Sequence, residues 1–148
     1  MSLTDTLSAD IARAMKARDA TTLTALRMLK TALTNKSIEK NRGLEAAEEL
    51  QVVGVLVKQR RDSIEQFEAA GRRELAEKER AEIAVLDTYL PPAATDVELT
   101  TAVETAIAAT GAASAKDMGK VMKTVMSTLA GKTVDGKRVN ELVRARLS

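Results

Sequence analysis

Apolar residues recur at helical spacings along almost the whole chain, and no stretch alternates apolar and polar residues long enough to predict a strand. A first helix is expected over about 3–17, opened by Ser2 or Thr4 and carrying Leu7, Ile11 and Met15 four apart. A break at Arg18-Asp19-Ala20-Thr21 leads into a second, reaching about residue 40, with the stripe Leu26, Leu29 and Leu33 and with Leu23 beside it. Asn41-Arg42-Gly43 supplies a turn. The third helix, about 45–70, shows Leu50, Val53, Val57, Ile64 and Phe67 and stops at Gly71. A fourth, about 73–89, is stitched by Leu75, Ile83, Leu86 and Leu90.

The only prolines, Pro91 and Pro92, stand together. Each lacks an amide donor, and Pro92 restricts Pro91, so Leu90 to Thr95 cannot continue a helix. The domain boundary is expected there, with a four-helix region over 1–92 and a three-helix tail over 93–148. In the tail, Thr95-x-x-Glu98 has capping-box spacing before Leu99, Val103 and Ile107, and Gly111 ends that helix. Ser114-x-x-Asp117 resembles a weaker cap for a helix over about 115–129, stopped by Gly131. Asp135-Gly136 is a turn signal leading to Val139, Leu142, Val143 and Leu147. The fold class predicted is all-α: an N-terminal helical hairpin-like region followed by a small three-helix bundle.

Composition narrows the chemistry. The 148 residues include no Cys, His or Trp, which removes Ser-His-Asp and Cys-His triads, structural zinc sites, disulfides and thiol redox switches. No catalytic, metal-binding or cofactor-binding residues are expected. An oxygen-only metal site or a carboxylate dyad has no recognisable spacing here. Phe67 and Tyr89, the only aromatics, cannot furnish the stacking platform that readers of single-stranded RNA use. Any nucleic-acid partner would have to be recognised through shape and phosphates, and structured RNA rather than DNA is expected. No apolar run approaches the roughly 20 residues of a bilayer span. The start, Met1-Ser2-Leu3-Thr4-Asp5, shows no basic segment with an apolar stretch behind it. A soluble cytoplasmic protein with no membrane partner is the expectation.

The formal charge of +2 is too slight to indicate a partner, but its distribution is uneven. Residues 1–90 balance 15 basic against 15 acidic side chains, whereas 116–148 hold 8 basic against 3 acidic. Within that basic end, Met118, Val121, Met122, Val125, Met126 and Leu129 share one helical face, and Lys120, Lys123, Thr124 and Ser127 fall on the other. Taken alone, such a helix is core filler with a solvated lysine face. Gly119, Gly131 and Gly136 beside the basic residues change that reading, since Gly leaves room for a ligand's backbone and Lys or Arg can neutralise phosphate. The candidate RNA-binding residues are therefore Lys116, Gly119, Lys120, Lys123, Gly131, Lys132, Gly136, Lys137 and Arg138. Gly131-Lys132 and Gly136-Lys137 do not meet the P-loop template.

The run Gly111 to Met122, followed by Gly131-Lys132-x-x-Asp135-Gly136-Lys137-x-Val139-x-x-Leu142-Val143, resembles the tail domain of the GatB/YqeY family. Leu26-Arg27-Met28-Leu29-Lys30, Lys58 to Ile64 with Phe67, Gly71-Arg72-x-Glu74-Leu75 and Tyr89-Leu90-Pro91 extend the resemblance, to stand-alone YqeY proteins, over almost the whole chain. In GatB, a subunit of a tRNA-dependent amidotransferase, this module is a helical tail that helps to hold tRNA near its elbow. The resemblance therefore implies a tRNA-binding or accessory role, with an amidotransferase or a translation component as a further partner. A literal amidotransferase, a carbon-nitrogen ligase with glutamine as amido donor, is opposed by the missing cradle, the absence of Cys, and a lone Ala113-Ser114-Ala115-Lys116 where a Ser-Ser-Lys centre would need glycine- and serine-rich surroundings. A helical protein-interaction adaptor is the third reading. In the N-terminal region, Arg60 and Arg61 beside Glu79 and Glu82 read either as a basic groove or acid/base pair, or as charges that meet across a helix pair and hold its register; the second is preferred. Arg27 and Lys30 are read in the same way, and Tyr89 is expected to pack at the domain junction rather than stack on a base.

Overall fold

The computed structural model describes residues 2–147; Met1 and Ser148 lie outside it. The described residues form seven α-helices and no strand. No described helix is long and apolar enough to cross a membrane. The chain divides into two compact units, Met1–Leu90 and Pro91–Ser148.

The first unit contains α1 (Leu3–Ala17), α2 (Ala20–Lys40), α3 (Ala46–Ala69) and α4 (Arg73–Asp87). Local chemistry accounts for where each begins and ends. Ser2 and Asp5 close a reciprocal capping box at the start of α1, leaving fewer of the first-turn amides without a partner. Arg18 then turns into the left-handed region at φ 56°, and the amides of Arg18 and Asp19 reach back to the carbonyls of Met15 and Ala14. Asp19 caps α2 by accepting from the Thr22 amide. At the far end of α2 the left-handed residue is Asn41, φ 55°, rather than Gly43. Asparagine tolerates that conformation because its short polar side chain bonds locally. Gly71, φ 71°, reverses the chain between α3 and α4.

Leu7, Ala14, Leu26, Leu29, Leu33, Val53, Val57 and Leu86 make the core of this unit. Each fully buried leucine contributes about 1.5–3 kcal/mol through removal of apolar surface from water. Met15, expected on the α1 stripe, is 53% exposed, and Ala14 lies inside in its place. Residues four apart drift by about 40° per step, so a stripe of 7, 11 and 15 rotates away from the core, whereas residue 14 comes back beneath residue 7.

The second unit contains α5 (Asp96–Thr110), a single 3-10 turn at Ala115–Asp117, α6 (Met118–Thr128) and α7 (Gly136–Leu147). The Thr95–Glu98 capping box forms as the spacing predicts. The expected helix over 115–129 is shorter, because Ser114 makes no capping bond and Asp117 instead accepts from the Ala113 amide, tightening the first turn. Leu99, Val103, Val121, Val125, Val139 and Val143 fill the core, with Met118 and Met122 packed against it. Met126 is 46% exposed, since it sits about 80° from Met118 around α6 and so at the edge of the buried face.

Pro91 and Pro92 do more than interrupt a helix. A proline keeps its carbonyl, and the Thr133 hydroxyl donates to Pro91 O at 2.6 Å while the Thr133 amide donates to Pro92 O at 3.0 Å. The Ala94 amide returns a bond to Thr133 O at 2.9 Å. These bonds tie residues 91–94 to the segment before α7, so the division between units falls after Leu90 and not after Pro92.

Candidate nucleic-acid interface

All nine candidate residues are exposed, and the second unit separates them into two groups. Lys116, Gly119, Lys120 and Lys123 lie on the 3-10 turn and the first half of α6. Gly131, Lys132, Gly136, Lys137 and Arg138 lie beyond its other end and at the start of α7. From Lys120 to Thr128 the helix advances about 12 Å, and side chains on α6 lean back toward its N-terminus, which takes Lys120 and Lys123 further from the second group.

Electrostatics divides the two groups further. Lys132 is ion-paired and hydrogen-bonded to Glu98, a first-turn residue of α5. That bond, reinforced by the Thr95 amide, holds the Glu98 carboxyl below the usual carboxylate range. Arg138 lies 3.7 Å from Asp96 on the same turn and 3.6 Å from Glu141. Carboxylates gather there because the first turn of a helix favours negative charge. By contrast, among the described residues no carboxylate pairs with Lys116, Lys120 or Lys123. Arg144, which the glycine-based reading passed over, also has no such partner, whereas Arg146 pairs with Glu104 at 2.6 Å.

The glycines separate in the same way. Gly131 adopts φ 91°, a conformation that L side chains rarely accept, so the turn itself requires glycine. Gly119 and Gly136 need no such freedom, and a Cβ added at either would meet nothing within 4 Å beyond its chain neighbours and the nearby backbone of its own helix. At Gly119, inside the first turn of α6, nothing within the fold explains a residue that costs helix stability.

One arginine of the first unit is engaged inside it. Arg60, 5% exposed, donates to Leu56 O at 3.1 Å and to the Met28 sulfur at 3.2 Å. Its Nε lies 3.9 Å from Glu79 and 3.8 Å from Glu82, within ion-pairing range but too far for a hydrogen bond, and so has no hydrogen-bond partner. Burial, then the neighbouring Glu82 charge, pushes the Glu79 carboxyl up against the opposing pull of Arg60. The arrangement is the helix-pair contact that the charge pattern predicts, not a basic groove.

Tyr89 lies within the first unit, its hydroxyl donating to Asp10 Oδ2 at 2.5 Å. The two residues are 79 positions apart, and nothing in the local pattern around either signals the pair. Both line a cleft of about 480 Å³ among α1, α2 and α4. Among the described residues no group of three Asp or Glu is placed to hold a metal ion.

Comparison with known proteins places these features in a family. A family described as Yqey-like protein matches residues 4–147. Proteins named altered inheritance of mitochondria protein 41, mitochondrial, are similar in sequence. The one from Lachancea thermotolerans is 33% identical over 96 residues, 63% of this chain and 51% of the relative. The one from Kluyveromyces lactis is 36% identical over 84 residues, 56% of this chain and 45% of the relative. That from Pyrenophora tritici-repentis is 28% identical over 146 residues, 95% of this chain and 80% of the relative. The chain thus spans about half the length of the first two relatives. Their names correct the expectation of a cytoplasmic protein: all three are called mitochondrial. With its match running from residue 4 to residue 147, the chain belongs to the YqeY-like protein family.

Proposed function

We propose that the chain is a structured-RNA-binding module, with tRNA as its principal ligand, and that it acts by binding rather than by chemistry of its own. The observation that carries this reading is the exposed set Lys116, Lys120 and Lys123, which stands without carboxylate partners beside Gly119. Three unpaired ammonium groups on one short helical segment can replace counterions on phosphates. A glycine with open space around it lets a sugar-phosphate backbone come close. The second unit contains no aromatic residue, since Phe67 and Tyr89 both precede Pro91, so its contacts would be to backbone and shape rather than to stacked bases.

Within this reading Lys132 and Arg138 serve mainly to pin α5 to the segment around the start of α7, because their charge is already offset by Glu98 and Asp96. A filter-binding titration of total tRNA at low salt tests the assignment. Lys120→Glu with Lys123→Glu is expected to weaken binding by at least about tenfold, a change of about 1.4 kcal/mol. Lys132→Glu with Arg138→Glu should weaken it less. Equal binding by the Lys120/Lys123 double variant and the parent chain would contradict the proposal.

A further inference from the structure

The chain has no Cys, so all of its oxidisable sulfur is thioether, carried by six methionines. Met118 and Met122 pack against the core of the second unit, whereas Met15, Met28 and Met126 are exposed, Met28 by 46%. Among the described residues, Met28 is the one whose sulfur accepts a hydrogen bond: Arg60 Nη2 donates to it at 3.2 Å, joining α3 to α2.

The guanidinium on the other side of that bond is short of acceptors. It carries five N–H donors in a planar fork, and the residue is almost wholly buried. Nη1 is met by Leu56 O. Nε has no hydrogen-bond partner, because Glu79 and Glu82 stand 3.9 and 3.8 Å away. Nη2 has the Met28 sulfur, and a thioether is a weak acceptor. Buried donors left unmet are costly, most of all on an ion. Nη2 and Nε lie along one edge of the fork, so a single strong acceptor at the tip of Met28 can serve both.

Oxidation of the sulfur supplies such an acceptor. We propose that Met28 is a site of reversible oxidation by a peroxide, and that its sulfoxide oxygen bonds the buried Arg60 guanidinium and tightens the first unit. With hydrogen peroxide, a sulfur lone pair takes one oxygen, the O–O bond breaks, and the second oxygen leaves as water with the proton released by the first. The thioether loses two electrons and the peroxide gains them. Two thiols reverse the step, giving a disulfide and water, and in a chain without Cys they must come from a separate reductase. A new oxygen in a closed core would loosen it. Met28 is half exposed, and its unbranched side chain is free to turn the oxygen toward Arg60. The site is independent of the RNA-binding reading, since both residues belong to the first unit.

In the test, the full chain is treated with dilute hydrogen peroxide, oxygen uptake at each methionine is mapped by mass, and treated and untreated chains are unfolded in urea. Tyr89, the one Tyr of a chain without Trp, lies in the first unit, so its fluorescence follows that unit. Oxidation at Met28 should raise the folding equilibrium constant of the first unit about tenfold, the scale of a hydrogen bond to a charged group. Reduction by methionine sulfoxide reductases should return it to the starting value. The same treatment of Met28→Leu, which keeps Met15 and Met126, should bring no gain. Met28→Gln carries an amide oxygen near the place of the sulfoxide oxygen and should raise the constant about threefold or more without any oxidant. The proposal is overturned if oxidation at Met28 lowers the stability of the first unit or leaves it unchanged, if treated Met28→Leu gains as much as the parent does, or if Met15 and Met126 take up oxygen and Met28 does not. Should Met28→Leu not fold, Met28→Gln treated with peroxide takes its place, and a gain there equal to the parent's overturns the proposal.

Discussion

The two units use charge in opposite ways. The first buries Glu49, Arg60 and Glu82 among its leucines, and Arg60 faces Glu79 and Glu82 across the α3–α4 contact. Among the described residues of the second, every buried one is apolar and the charged side chains stay toward solvent. Desolvating an ion is unfavourable, and a buried arginine is retained only where carboxylates and hydrogen bonds compensate it. An apolar core makes no such demand. The contrast teaches that a charge taken inside a fold must be compensated there, whereas a charge left at the surface need not be.

The contrast can be broken most forcefully at Arg60. Arg60→Ala removes the buried cation that faces Glu79 and Glu82. Its expected destabilisation is about 3–5 kcal/mol, measured by urea unfolding of the full chain. A loss below about 1 kcal/mol, the scale of a surface pair, would show that the buried contact does not hold the unit together.

A smaller effect of opposite sign is expected at Gly119. Gly119→Ala finds open space for its methyl group and adds helix propensity, so it should stabilise the second unit by about 1 kcal/mol. It should also weaken tRNA binding, because the methyl group keeps a phosphate backbone at a distance. Stabilisation without any change in binding would leave Gly119 outside the interface.

The mildest test is the pH profile. The Glu79 carboxyl is raised, so the folded chain holds that proton more tightly than the unfolded chain does. Its ionisation is therefore unfavourable to folding at neutral pH, and stability is regained as the pH falls through the raised pKa toward the ordinary carboxyl range. Glu98 is lowered and behaves in the opposite sense: its contribution is present above the ordinary carboxyl range and is lost as the pH falls through its folded value. Thermal unfolding against pH should show Glu79→Gln raising stability slightly near neutrality. Glu98→Gln should flatten the acid decline.

Much of this organisation is legible in the sequence because it is local. Ser2-x-x-Asp5, Thr95-x-x-Glu98, Gly71 and Gly111 mark helix ends within three or four residues of the groups they satisfy. Spacing also identifies the stripe Leu26, Leu29 and Leu33. It fails at Met15 and Met126, where a pattern drifts off the buried face by small rotations that only the packed structure fixes. The candidate interface was legible as a basic, glycine-bearing stretch, but its division was not. Lys132 meets Glu98 from 34 positions away and Arg138 meets Asp96, contacts that no local spacing encodes. The same distance effect hid the pair formed by Asp10 and Tyr89.

In the proposed function Lys116, Lys120 and Lys123, and not the whole basic end, carry RNA binding. The slope of log binding constant against log salt concentration for tRNA tests it most directly. Each phosphate neutralised contributes to that slope, by about 0.7 to 0.9 per contact. Replacing Lys116, Lys120 and Lys123 by alanine should reduce the slope by about two, whereas replacing Lys132 and Arg138 by alanine should change it by less than about one. A slope unaltered by the triple replacement, or tRNA binding that does not respond to salt at all, would contradict the account.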